Sequence, residues 1–195
     1  MKQLLTVFAL LALTGASLSA QETSWKLDPV HSNVLFTVQH LVVSEVTGKF
    51  KEFDATLKAS KPDFTDASIE AVVKTSSIET ENENRDNHLR SDDFFNAQQF
   101  PEMKFRSTSI KKVAEKQYVL MGDLTIRDVT KPVTFTVNLL GVIDGGKFGT
   151  RSGWKATTII NRFDYKLMWD RALESGGLVV GKDVTIQLNL EFVKG

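Results

Sequence analysis

Asp183 to Val193 reads DVTIQLNLEFV. Val184, Ile186, Leu188, Leu190 and Phe192 alternate with Asp183, Thr185, Gln187, Asn189 and Glu191. A period of two places the two sets on opposite sides of a pleated strand, one face apolar and one wet. Upstream, Val133, Phe135, Val137 and Leu139 repeat the pattern against Thr134, Thr136 and Asn138. Val34, Phe36 and Val38 repeat it near the N-terminus, with His40 on the same face. Segments 48–59, 67–74, 102–113, 117–127 and 151–161 are further strand candidates. Turn-forming residues separate them: Gly48, Lys61-Pro62-Asp63, Lys131-Pro132 and Asp144-Gly145-Gly146. About eight antiparallel strands result, in an all-β domain that suits a barrel or a sandwich. A barrel of this size either packs its interior solid or holds one small ligand. Inferred inward positions such as Phe53, Ala55, Leu57, Tyr118, Leu120 and Leu124 serve either case.

The first twenty residues read differently. Lys2 precedes the apolar run Leu4–Leu13, and small residues dominate from Thr14 to Ala20. That is the pattern of a secretory signal peptide, too short to span a bilayer as a mature helix. Cleavage after Ser19 or Ala16 fits the small-residue rule better than cleavage after Ala20, which leaves Leu18 at the −3 position. The expected organisation is a signal peptide over 1–20 and a single domain over 21–195, exported to the periplasm as a soluble protein. Cysteine is absent, so no disulfide contributes and the fold rests on its core. Neither a P-loop nor a G-x-G-x-x-G motif occurs. The net charge is zero, which gives no footprint for nucleic acid. No second apolar run reaches membrane-spanning length.

Two stretches break the strand rhythm. Ser77–Phe100 is polar and charged, and a short helical segment is expected near residues 80–96. Helical spacing would align Arg85, His88, Leu89 and Asp92 on one stripe, while Phe94 and Phe95 offer an apolar handle to cap a barrel end. Asn161–Gly181 reads as a loop or short helix beside an opening. Hydrolase and zinc signatures are missing. The three histidines, His31, His40 and His88, do not have metal-site spacing, and no metal or other cofactor is expected. Asp92-Asp93 lies in a polar segment and reads as solvated.

Several blocks resemble the YceI family. They are Leu27-Asp28-Pro29-Val30-His31-Ser32 with the strand that follows, Gly48-Lys49-Phe50 with Phe53, and Ser77-Ile78-Glu79-Thr80. Arg85 to Phe95 (RDNHLRSDDFF) is similar to its most recognisable block, continued by Phe100-Pro101-Glu102-Met103-Lys104-Phe105. Gly122 to Ile126 with Val129 to Val133 resembles its central hairpin. The likeness runs in order through the chain after residue 20. Two positions depart from the pattern: Asp128 stands where many members carry a turn glycine, and Lys166 replaces the glycine of R-x-D-[FY]-G.

The resemblance implies an eight-stranded antiparallel lipocalin-like barrel. It implies a carrier, often exported and sometimes dimeric, that holds a polyisoprenoid, isoprenoid quinone or fatty acid derivative. Service in envelope stress is one implied role. Inferred facing then assigns Phe36, Val38, His40, Phe50, Phe53, Phe105, Tyr118, Leu124, Phe135 and Leu188 to the lipid-binding wall. Arg85, Asp86 and His88 form an expected polar network at one barrel end. It either shapes the opening or ties the helix to the strands. No catalytic residue is expected. The alternative is an enzyme acting on the lipid or its head group through His88 with Asp86 or Asp92.

Overall fold

Each period-two segment pairs with its neighbour in the chain, and the first pairs with the last. The computed structural model describes residues 21–172 and 176–195. The expected signal peptide lies outside them. The strands are β1 (Thr23–Leu27), β2 (Asn33–His40), β3 (Ser44–Phe50), β4 (Phe53–Ala59), β5 (Ser68–Lys74), β6 (Ile78–Glu79), β7 (Glu102–Ala114), β8 (Gln117–Ile126), β9 (Val129–Asp144), β10 (Thr150–Asn161) and β11 (Val180–Lys194), with helix α1 (Glu83–Arg90) between β6 and β7. Among the described residues no helix is long and apolar enough to cross a membrane.

Eleven strands make eight staves, because three staves are broken. β1 and β2 lie end to end along β11, which pairs with β2 from Val180 to Asn189 and with β1 from Phe192 to Lys194. β3 and β4 form the second stave, and β6 and β5 the third. β7, β8, β9 and β10 follow as unbroken antiparallel neighbours, and β10 returns to β11. The sheet closes into an antiparallel barrel.

The breaks adjoin one another across the staves, and local hydrogen bonds cover the backbone they free. Asp28 caps a single 3-10 turn, accepting from Val30 N at 3.0 Å, with Pro29 at its start. Ser77 Oγ accepts from Glu52 N at 3.0 Å, and Ser32 Oγ accepts from Glu191 N at 2.9 Å.

Several sequence expectations change here. The segment 48–59 is two strands, and the first begins at Ser44. Gly48 sits inside β3 rather than in a turn. A Cβ there would fall 2.3 Å from the Phe36 ring, so the ring's close approach requires glycine. Pro132 also lies within a strand, β9. β10 runs beside β9 only from Thr136 onward, so Pro132 faces an open edge and its missing donor breaks no ladder bond on that side. β1 carried no alternation long enough to announce itself. α1 ends at Arg90, which leaves Asp92 beyond the helical stripe.

The interior divides into two apolar clusters. One fills the end bounded by the β4–β5, β7–β8 and β9–β10 connections, around Trp25, Phe64, Tyr118 and Trp154. The other lies toward α1, around Phe50, Phe94, Ile126, Ile160 and Leu167.

Candidate functional site

Between the clusters the barrel is not filled. A cavity of about 220 Å3 runs along the axis, with an almost wholly apolar wall. At about 10–15 Å3 of such space per water-sized group, it accepts on the order of fifteen to twenty heavy atoms.

The wall comes from the inward positions of the strands. Phe36, Phe50, Phe53, Phe105 and Phe135 line it, as do Val38, Leu124 and Leu188. Rings are kept against the sheet by two glycines. Gly48 leaves room for Phe36, and Gly122 leaves room for Phe105, whose ring a Cβ would meet at 2.4 Å. Tyr118 faces inward but lies below the cavity, off its wall. It is 1% exposed and donates its hydroxyl to Asp63 O at 2.8 Å within the aromatic floor. Phe64 completes that floor from the β4–β5 loop, 5.5 Å from Trp25 and 5.0 Å from Trp154 between ring centres.

At the opposite end the cavity meets a second pocket of about 370 Å3. Phe36, Val38, Leu89, Phe94 and Val180 line both. The outer pocket is a vestibule of mixed lining, with Gln39, His40, Thr80, Asn84, Arg85 and His88 set among apolar side chains. His40 thus faces the vestibule rather than the apolar cavity. Leu89, Phe94 and Phe95 reach the cavity from outside the sheet.

Arg85 and Asp86 both act on Thr80. Arg85 donates from Nε to Thr80 Oγ1 (2.7 Å) and from Nη2 to Thr80 O (2.6 Å). Asp86, 6% exposed, accepts from Thr80 N (2.8 Å) and Oγ1 (2.5 Å). Arg90 adds bonds to Ser76 O and Ile78 O. Together these fasten α1 to the third stave. His88 belongs to a separate group: its Nε2 lies 2.9 Å from Asp93 Oδ2, and its ring meets Phe94 and Trp169 edge-on. The pairing of His88 with Asp86 or Asp92 that the enzyme alternative calls for is not present. Asp86 is taken by Thr80, and Asp92 by Arg127 and Asn96.

Arg162, the arginine of the R-x-D-[FY]-G pattern, is a cavity residue that the sequence reading does not assign. It is 2% exposed and lines the cavity. Its guanidinium donates to four backbone carbonyls: Gly181 O, Leu167 O, Trp169 O and Val180 O. Among the described residues no carboxylate is bonded to it, and burial lowers its pKa from the ordinary arginine value. The signal was available, because Trp154, Ala156, Thr158, Ile160 and Arg162 continue one inward period-two row.

On the barrel wall, Asp28, His31 and Glu191 bring ligand atoms within 4.8 Å of one another. Arg151 already supplies the cation, with Nη1 2.8 Å from Asp28 Oδ2 and 2.5 Å from Glu191 Oε1. The donors from His31 and Arg151 hold the Asp28 carboxyl far below the usual carboxylate range.

Known proteins share this architecture. Residues 25–192 match the YceI-like domain family. A UPF0312 protein of Staphylococcus epidermidis is 40% identical over 171 residues, covering 87% of this chain and 97% of that protein. BcnA of Burkholderia cenocepacia superposes with a TM-score of 0.74 at 19% identity, covering 85% of this chain and 98% of its own. A polyisoprenoid binding domain from Saccharophagus degradans superposes with a TM-score of 0.66 at 16% identity, covering 88% and 98%. The structural likenesses carry the barrel, and the sequence match spans both the floor and the mouth: the chain belongs to the YceI family.

Proposed function

We propose that this protein is a carrier for a single polyisoprenoid-type chain, with the tail in the barrel and a polar head in the vestibule. The observation that carries this reading is the junction of the two pockets: an apolar tube opening through Phe36, Val38, Leu89, Phe94 and Val180 into a chamber where polar side chains join the wall. The tube accommodates three or four isoprene units by the volume argument above. Burying each methylene-sized group contributes roughly 0.8 kcal/mol, reduced by the cost of ordering the chain. An empty cavity is itself costly. At about 24 cal/mol per Å3, 220 Å3 corresponds to on the order of 5 kcal/mol of lost packing. A tail restores those contacts. The leader-like residues 1–20 support export, so we place the carrier in the periplasm, serving the envelope.

Native mass spectrometry of detergent-free protein, followed by organic extraction, tests the assignment. A stoichiometric prenyl adduct is expected. A protein that is isolated empty and rejects added prenyl lipids would overturn it.

A further inference from the structure

The hairpin joining β2 to β3 ends in three consecutive apolar residues, Leu41, Val42 and Val43, which are 39%, 52% and 84% exposed. Leu41 and Val42 both adopt left-handed backbone, at φ 52° and 63°. That conformation is uncommon outside glycine, asparagine and aspartate, and is costly for a β-branched side chain. Strain of this kind persists only where the surroundings impose it, and it concentrates at functional sites. Here the surroundings do impose it. Leu41 N donates to Val179 O at 2.9 Å, Val43 N donates to His40 O at 3.2 Å, and Gln39 Nε2 donates to Val42 O at 3.4 Å. Gly177 passes so close to Val42 that a Cβ would lie 2.8 Å from its Cγ2. The tip is therefore braced against the 177–180 segment with its apolar side chains outward.

Its position is informative. His40 and Gln39, which precede the tip, and Val179, which braces it, all line the vestibule. A ligand leaving the cavity passes beside the tip. Met168, 58% exposed, adds apolar surface on the neighbouring segment that Arg162 anchors.

We propose that Leu41-Val42-Val43 is a bilayer-docking tip that seats the cavity mouth on a lipid surface, so that an apolar chain passes between membrane and barrel without crossing water. The inference rests on the carrier reading for its purpose but not for its test. The occupant follows from size and continuity. A stable contact between copies buries roughly 800 Å2 per partner, which four partly exposed side chains do not supply. A few apolar side chains inserted to interfacial depth do suffice for reversible membrane association. A bilayer is also the phase in which a prenyl chain dissolves.

The variant Leu41→Asn/Val42→Gly/Val43→Ser separates docking from folding. Glycine and asparagine suit left-handed backbone, so the melting temperature should hold or rise. Flotation with phosphatidylcholine vesicles should fall about tenfold or more, consistent with loss of interfacial burial. Transfer of a fluorescent geranylgeranyl probe out of those vesicles should slow by a similar factor. Equilibrium affinity for the same probe added from ethanol should be unchanged. Equal flotation of the two proteins, or a wild type that does not float, overturns the proposal. So does a loss of self-association in the variant with no change in flotation, which would make the tip a contact between copies. A wild type that floats yet binds no probe rejects the carrier reading and leaves the docking tip standing.

Discussion

The two ends of the barrel use the same side-chain chemistry to opposite effect. At the floor, Trp25, Tyr118 and Trp154 are carried by hydrogen-bonded strands, with Phe64 plugged in from a short loop. Two of them satisfy their polar atoms on the spot: Tyr118 bonds to Asp63 O, and Trp154 Nε1 to Ser152 Oγ at 3.0 Å. At the mouth, His88, Phe94 and Trp169 also meet within 5.1 to 5.6 Å of one another. None of them belongs to the sheet. They are held at one remove, by Arg127 bonded to Phe94 O and Arg162 bonded to Trp169 O. An aromatic cluster on strands makes a wall. The cluster at the mouth is held instead by two arginines bonded to backbone carbonyls, without strand pairing.

The contrast is sharpest under truncation. Trp154→Ala at the floor should cost about 3–5 kcal/mol of stability in a urea titration. Trp169→Ala at the mouth should cost about 1 kcal/mol and act instead by speeding probe release in stopped flow. Equal losses at the two sites would erase the distinction.

Alkaline titration comes next. Burial pushes the Tyr165 hydroxyl at the mouth end up to about 12, and burial raises that of Tyr118 at the floor. Raised values mean that the fold favours the neutral phenols. Their contribution is complete below the unfolded value near 10 and is lost as pH rises toward 12. For Tyr165 the loss should be about 2–3 kcal/mol, and Tyr165→Phe should flatten that part of the stability profile. An unchanged slope would show that the mouth cluster does not exclude water as the floor does.

Gly48→Ala probes the tube between the two ends. The new methyl meets the Phe36 ring and Thr80 Cγ2, displacing the ring into the cavity. Overpacking should cost about 1–3 kcal/mol, and calorimetry should show the affinity for a geranylgeranyl probe falling by more than the stability does. A retained affinity would mean that the tail does not pass Phe36.

The smallest effect is expected at Lys166→Gly. Lys166 holds left-handed backbone at φ 59° and places Nζ 2.6 Å from Asp128 Oδ2. These are the two positions at which the sequence departs from the family's glycines, and here they meet each other. Strain relief and the loss of an exposed pair oppose one another, so no resolvable shift in the denaturant midpoint is expected.

The alternation of apolar residues was enough to locate all eight staves, because a closed barrel with one wet face obeys the period everywhere. It did not locate the breaks at 28–32, 51–52 and 75–77, where side chains replace ladder bonds and leave no periodic trace. Nor did it separate cavity from core. Leu120, Leu124 and Tyr118 share one inward row, yet Tyr118 lies in the floor while Leu124 borders the tube. Facing follows from the period, whereas depth depends on how far each stave slides against the next. The space itself depends on Gly48 and Gly122, whose value lies in atoms they lack. The polar block from Arg85 to Asp93 was legible as a unit but not as bonds, because helical spacing cannot tell that Asp93, after the helix, reaches back to His88.

Closure of the barrel depends on the chain's last residues. Trp25 pairs with Lys194, and Leu27 with Phe192, so the seam joins nearly opposite ends of the sequence. Contacts of such long separation form late and slowly, since the connecting chain must be ordered first. β11 is also the shared edge for β1, β2 and β10. Until it arrives, β10 and the first stave both present unpaired edges, which are templates for aggregation. A chain made from its N-terminus onward holds those edges open until β11 arrives. The span over which those edges stay exposed is then set by the time taken to deliver residues 180–194.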